Sequence, residues 1–445
     1  MSEPANHARA RTWYAIGWWF VLPVVALYLL WRSLRQPEYR SHWGERFLGR
    51  GAAPGAGKPV IWVHAVSVGE TRAAQPLIEA LAAQFPAASF VLTHMTPTGR
   101  AVGAGVAAAL AGRLVQRYLP YDFDRAVQRF LQETRPDVGI ILETELWPSL
   151  LFAARAAHVP MVLVNARLSE QSLARAKRWE ALIRAAAQAM TRVAAQSEAD
   201  RARIAQLYAG PIEVLGNLKF DLAPPVELVA QGRSMRAALG PRPVWLFASS
   251  RDGEETLLLD AFKSIRKELG SDPILLVVPR HPQRFDEVAR LIEARGFVCA
   301  RRSVSAFTAP PANGTILLGD SMGEMAMYYA AADLALIGGS LLPFGAQNLI
   351  EACAVGTPVL LGPSTFNFMQ AANDALAAGA AVRVENAAQA LVAFDQLSRD
   401  EVQRAAMAAA AREFAAAHRG ATERTVAMIR GVLTRAAGTS ASATR

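Results

Sequence analysis

The chain has 445 residues, 52% of them hydrophobic and 19% charged, so it can fill two hydrophobic cores and is too apolar to be disordered over most of its length. Its 47 Lys and Arg against 38 Asp and Glu leave a formal charge of +9, which suits an anionic partner such as nucleic acid, acidic lipid headgroups or a phosphorylated substrate. Long basic runs, zinc-finger spacing and an aromatic RNA-binding signature are missing, which argues against nucleic acid and leaves membrane phosphates as the better fit.

Trp13 to Trp31 reads WYAIGWWFVLPVVALYLLW, an uncharged apolar run of bilayer-spanning length with Trp and Tyr near both ends. Residues 1–46 are therefore expected to be a membrane anchor and its juxtamembrane segment. Arg32, Arg35, Arg40, Arg46 and Arg50 follow closely, which puts the remainder on the cytoplasmic face. Pro23 leaves two forms open, a full span or a shallow monotopic insertion.

From Val60 to about Gly216, β-rich runs (VIWVH, SFVLTHM, RLVQRYLP, VGIILETE, MVLVNARL, RVAAQ, IEVLG) alternate with alanine-rich helical patterns, the rhythm of a parallel sheet covered on both faces. A linker is expected over 219–243, where Pro224 and Pro225 stand near the start. The rhythm then resumes with VWLFASS, ILLVVPR, TILLGD, LALIGG and PVLLGP. One helix is expected from Glu401 to about Val432, with a disordered tail over 436–445. The fold class is α/β, with two Rossmann-like domains over 47–218 and 244–435 facing an interdomain cleft, the last helix being free to pack back on the first domain.

In VIWVHAVSVGE the apolar run stops at Ser67 and Gly69 before Glu70, which places Glu70 at a strand-to-helix turn on the carboxyl edge of a sheet. Two readings stand there. Glu70 either meets the positive end of a helix dipole, or it is a carboxylate that takes a proton from a bound hydroxyl. The dipole would lower its pKa and desolvation would raise it. IILETELWP puts Glu143 and Glu145 at another strand end, and GNLKFD puts Lys219 at the domain junction, where a cation can stabilise a departing phosphate. MTPTGR offers Thr96, Thr98 and Arg100 as polar contacts for an acceptor.

In the second half, several strand-like runs end in polar or glycine-rich turns, a pattern that suits a nucleotide. Gly323 and Asn348 stand near helix starts that favour phosphate, Arg280 follows ILLVVP, and Glu351 can accept from ribose hydroxyls. Neither GxxxxGK[ST] nor GxGxxG occurs, which weighs against a P-loop ATPase and a dehydrogenase. Cys299 and Cys353 lie far apart, and His64, His94 and His281 lack ligand spacing, so no protein-bound metal and no disulfide framework are expected.

Taken in order, YRSHWGERF, HAVSVGET, MTPTGR, YLPYD, ETELWP, NARLS, AAQSEAD, GNLKFD, PRHPQRF, GDSMGE, GGS, QNLIEA and GPSTFNF resemble the bacterial 3-deoxy-D-manno-octulosonic acid (Kdo) transferases, over nearly the whole chain. The resemblance implies a GT-B glycosyltransferase of the inner membrane. Such an enzyme moves Kdo from CMP-Kdo to the lipid A precursor lipid IVA with inversion, needing no cofactor beyond its donor substrate. By motif, Glu70 would be the general base, while Glu143 and Lys219 would stabilise the transition state. The nucleotide would rest on Pro279 and Arg280, on Gly323, Glu324 and Met325, and on Asn348, Leu349, Ile350 and Glu351. The chain departs from the common pattern at Ser250–Glu254, at Gln347 and at Ser364, the last two standing where histidine is frequent. A GT-B transferase of UDP-sugars, similar to lipid A disaccharide synthase, is the alternative.

Overall fold

A computed structural model describes residues 3–442, with side-chain surroundings for residues 10–436. The chain divides into two compact units, Met1–Leu222 with Arg419–Arg445, and Ala223–His418.

In the first unit the strands are β1 Val60–His64, β2 Ser89–His94, β3 Leu114–Tyr118, β4 Val138–Leu142, β5 Met161–Ala166, β6 Arg192–Ala195 and β7 Ile212–Val214. All pair in parallel, in the order β3-β2-β1-β4-β5-β6-β7. The period of two divides β1 between two cores. Ile61 and Val63 join Leu77, Leu81, Ile140 and Val164 on one face, while Val60 and Trp62 join Phe130, Leu150 and Val193 on the other. Both faces being covered, all five residues of β1 are buried, which is why it reads as an unbroken apolar run.

In the second unit the strands are β8 Val244–Ser250, β9 Ile274–Pro279, β10 Val298–Arg301, β11 Thr315–Leu318, β12 Leu334–Ile337, β13 Val359–Leu361 and β14 Ala381–Arg383, parallel in the order β10-β11-β9-β8-β12-β13-β14. Strand order reverses between β1 and β4 in one sheet and between β8 and β12 in the other. In parallel sheets such switch points open the carboxyl ends of the strands to ligands.

Three features differ from the sequence expectation. The stretch 219–243 is no open linker, because the helix Val226–Ala238 lies within it. Gly232 permits a close approach there: a Cβ would lie 2.2 Å from the Met327 carbonyl oxygen and 2.7 Å from the Ala330 methyl. The C-terminal helix is two helices, Glu401–Ala417 and Ala421–Ser442, broken at Gly420 with φ +91°. Asp221 holds the break, its carboxylate accepting the N–H groups of Gly420 at 2.6 Å and Thr422 at 2.5 Å. Met428, Ile429, Val432 and Leu433 then pack into the β1 core, and the helix runs on to Ser442, beyond the residue 436 where a tail was expected. Residues 443–445 lie outside the described residues. Asp221→Ala leaves two helix-start donors without a cap and is expected to cost about 1–2 kcal/mol, read as a lower urea midpoint at unchanged m-value.

Candidate active site

The carboxyl ends of β1 and β4 carry the acids. Ser67 caps the helix Val68–Gln84, and Glu70 is its third residue. The Glu70 carboxylate folds back over the turn, one oxygen accepting the Val66 N–H at 2.9 Å and the other the Ser67 hydroxyl at 2.9 Å. So the helix-start reading is correct as far as it goes. Even so, burial pushes the Glu70 carboxyl up to about 7, with the neighbouring Glu143 charge the second cause, outweighing the two hydrogen bonds. A carboxylate oxygen has more than one lone pair, so a group titrating near neutrality can still take a proton from a hydroxyl that reaches it.

The turn is braced from behind. His94, at the end of β2, sits with Nδ1 3.1 Å from the Ala65 carbonyl oxygen, while Gln116 donates to its Nε2 at 3.1 Å. The Thr71 hydroxyl donates to the Ser67 carbonyl at 2.8 Å and the Thr96 hydroxyl to the Val66 carbonyl at 3.3 Å. Gly99 lets the MTPTGR helix start come close, since a Cβ there would lie 3.2 Å from the Val66 oxygen. Arg100 is engaged by Glu45 at 2.6 Å, and Glu45 also accepts the Tyr118 N–H at 2.7 Å. That motif therefore supports the Glu70 turn, and the acceptor contacts read from Thr96 and Arg100 give way to these internal bonds.

Glu143 follows β4 in the left-handed region at φ +60°, strained for a residue with a side chain. Its carboxylate accepts from the Lys219 ammonium at 2.7 Å, and both side chains are under a fifth exposed. Burial raises the Glu145 carboxyl, with Glu143 a further cause. Lys219 reaches Glu143 because Asn165 pins its turn. At the end of β5 with φ +52°, Asn165 accepts the Leu218 N–H on Oδ1 at 3.0 Å, and Asn217 accepts the Lys219 N–H at 3.0 Å. Sequence spacing alone gave Asn165 no role; its left-handed backbone at a strand end is the feature that would have drawn notice. The fold thus brings Glu70, Glu143 and Lys219 to one end of one sheet.

The second unit gathers the other residues at the carboxyl ends of β8, β9, β11 and β12. Pro279 ends β9, and the Arg280 N–H donates to the Ser250 carbonyl at 3.0 Å while its Nε donates to Gln347 Oε1 at 3.2 Å. Gln347 sits on a loop that Ser364 and Asn367 hold: Ser364 Oγ accepts the Gly345 N–H at 3.0 Å, and Asn367 Nδ2 donates to the Phe344 carbonyl at 2.7 Å. Gly323 has φ +84° in an exposed turn before the helix Met325–Ala331. The Glu324 side chain accepts from Arg302 at 3.0 Å and from Ser321. The Met325 sulfur accepts from Ser249 at 3.8 Å. Asn348 Oδ1 caps the helix Ile350–Val355 through the Ile350 N–H at 3.1 Å, Leu349 and Ile350 are buried, and Glu351 is half-buried. Glu254, within the stretch Ser250–Glu254 where the chain departs from the common pattern, has a structural role that its sequence position does not reveal. It is fully buried and accepts the N–H groups of Arg251, Gly339 and Leu341 at 2.9, 2.6 and 2.9 Å, fixing the turn after β12.

The family described as 3-deoxy-D-manno-octulosonic-acid transferase (kdotransferase) matches residues 41–222. The 3-deoxy-D-manno-octulosonic acid transferase of Bordetella pertussis is 46% identical over 91% of this chain and 95% of its own, and that of Haemophilus influenzae is 34% identical over 93% and 96%. A glycosyltransferase from Rickettsia africae, 13% identical, covers 84% of this chain and 99% of its own with a TM-score of 0.57, a likeness of fold alone. Two parallel seven-stranded sheets with such neighbours make the fold GT-B. With two relatives at that identity over almost their full length, the chain belongs to the 3-deoxy-D-manno-octulosonic acid transferase family and is a glycosyltransferase.

Proposed function

We propose that this enzyme transfers Kdo from CMP-Kdo to lipid IVA with inversion, and that Glu70 is the general base. The observation that carries the reading is the desolvated Glu70 carboxyl, held near neutrality at the end of β1 beside the Glu143–Lys219 pair. Departure of CMP leaves oxocarbenium character on the sugar and negative charge on the phosphate. Lys219 supplies a fixed cation for the phosphate, and Glu143 an anion that both holds Lys219 and balances the sugar. Glu70 accepts the proton as the acceptor oxygen attacks the anomeric carbon. In the second unit Arg280, the Gly323–Met325 turn and the Asn348–Glu351 segment hold the nucleotide. No step in this reading calls on a protein-bound metal, so EDTA is expected to leave turnover unchanged.

The apolar stretch Ala10–Ser33 and the arginines after it support attachment to an anionic membrane, here the cytoplasmic face of the inner membrane, where a phosphorylated and acylated acceptor is found. The decisive experiment incubates the purified chain with CMP-Kdo and tetraacylated lipid A precursor and reads product masses, beside a panel of UDP-sugars. Product from a UDP-sugar and none from CMP-Kdo would overturn the proposal.

Gln347 stands where the family often has histidine, and its amide oxygen orients Arg280. Removing an acceptor from a charged donor costs about 1.5–3 kcal/mol. Gln347→Leu is therefore expected to raise KM for CMP-Kdo by about tenfold or more with kcat little changed, measured under acceptor saturation.

A further inference from the structure

The helix Glu3–Ser33 contains a stretch, Ala10–Ser33, long and apolar enough to cross a bilayer, yet one stripe of it lies against the first unit. Partly or fully covered positions recur at Ala10, Tyr14, Trp18, Leu22, Val25, Leu29 and Ser33, three or four residues apart from one end to the other. The exposed large side chains Trp13, Ile16, Phe20, Val24, Leu27, Trp31 and Leu34 recur at the same intervals, and at 100° per residue they fall on the opposite face. A helix apolar all round, with one face on protein, has the other left for lipid.

The contacts on the covered face come from both ends. Near the start, the Tyr14 hydroxyl donates to Asp122 at 2.8 Å, and that carboxylate also accepts the N–H groups of Ser149 and Leu150. Arg11 lies 5.0 Å from the Phe152 ring centroid, and Trp19 meets Phe123 edge to face at 5.1 Å. Near the end, Arg40 donates to the Ser33 hydroxyl at 2.9 Å and Arg32 lies over Tyr39, which shares the Arg46 guanidinium with Tyr118 of β3. From Tyr14 to Ser33 a helix extends about 29 Å, close to the thickness of the hydrocarbon core. In a spanning helix these two ends would lie on opposite sides of the membrane. Here both hold the same globular unit.

We propose that the Ala10–Ser33 helix lies flat in the membrane interface, docked along the first unit through its Tyr14–Ser33 stripe and immersed through its Trp13–Leu34 stripe, and does not cross the bilayer. The occupant of the exposed stripe is an anionic lipid surface. Tryptophans favour the headgroup level, and the exposed Arg35 stands at the end of the stripe where lipid phosphates lie. This deepens the membrane reading above and is independent of donor identity.

The test uses the full chain in cell membranes, with one protease-cleavable tag before Met1 and another after Arg445. In intact spheroplasts the two tags are expected to be protected together and lost together on lysis, with no selective loss of the first. Protection of one tag and loss of the other would overturn the proposal. Trp18 also meets Tyr121, ring centroids 6.3 Å apart, so two cysteine pairs, Trp19→Cys with Phe123→Cys and Trp18→Cys with Tyr121→Cys, joined by a short bismaleimide, test the docking separately. Cross-linking of most of the membrane-bound chain by either pair is expected, and absence of cross-link in both, in protein that retains turnover, overturns it. Recovery of the wild-type chain wholly in the soluble fraction would refute the membrane reading itself, leaving the transferase reading standing.

Discussion

Glu70→Gln is expected to lower kcat by about 10²–10⁴-fold, the contribution of a positioned base, while affinity for CMP changes by less than about twofold. The wild-type kcat/KM should rise tenfold per pH unit up to a midpoint near 7 and then level off, because the unprotonated carboxylate is the active form and burial sets it at about 7. That limb should vanish in the glutamine variant. Neither His64 nor His94, beside the turn, can supply it: burial pushes them down to about 3 and about 4, so both are neutral throughout this range. Glu145, whose carboxyl burial also raises, is the competitor beside Glu70. Since its charge helps to raise Glu70, Glu145→Gln should keep the limb and move it to lower pH. Turnover by Glu70→Gln at the wild-type rate would remove Glu70 from the base role.

The same substitution carries a stability signature of opposite sign. The folded carboxyl titrates at about 7 against an ordinary 4.5, so the folded state binds the proton more tightly than the unfolded chain does. Stability from this group is complete below 4.5 and is lost as pH rises through about 7. At 1.36 kcal/mol per pH unit that gap bounds the loss at about 3 kcal/mol, and the weaker bonds that glutamine makes to Val66 and Ser67 reduce the net gain. Glu70→Gln should therefore match wild type in thermal stability at pH 4.5 and exceed it at pH 8. A variant that gains stability as it loses turnover shows that the fold bears a cost for the poised base.

Much of this site could be read from residue order alone, because its parts are local. Ser67, Gly69 and Glu70 follow an apolar run and precede a helical one, so the turn and its carboxylate are encoded within about ten residues. The sheets were legible for the same reason: strands buried on both faces are unbroken apolar runs, as in VIWVH. The edge strands Val298–Arg301 and Ala381–Arg383 are short and partly exposed, and they lack that signal. What stayed hidden depends on strand order. Lys219 meets Glu143 across 76 residues, and Arg280 meets Gln347 across 67, pairings that follow only once β4, β5 and β7, or β9 and β12, have taken their places. Gly232 and Gly420 read equally as helix breakers, and tertiary context decides between them. One seats a helix against Met327, while the other ends a helix where Asp221 caps the next. The N-terminal helix conceals its docked face for a related reason: with both faces apolar, composition cannot tell protein from lipid.

Lys219→Met is expected to lower kcat by about 10²–10³-fold, the usual cost of losing one fixed donor or cation opposite developing charge. A structural role predicts a loss as well, because methionine leaves Glu143 partly buried without its partner. The two roles separate on pH and on a second substitution. An uncompensated Glu143 favours protonation of its neighbour, so the acid limb should move above 7 in Lys219→Met and below 7 in Glu143→Gln, where the negative charge beside Glu70 is gone. If Lys219 served only to neutralise Glu143, the double variant Lys219→Met/Glu143→Gln would recover most of the turnover lost in Lys219→Met. If the ammonium stabilises the departing phosphate, the double variant stays as slow as Lys219→Met although its pH limb returns towards the wild-type position. The second result is expected, because Glu143 sits in a strained backbone conformation that aims its carboxylate at Lys219, an arrangement that a merely solvated ion pair would not need.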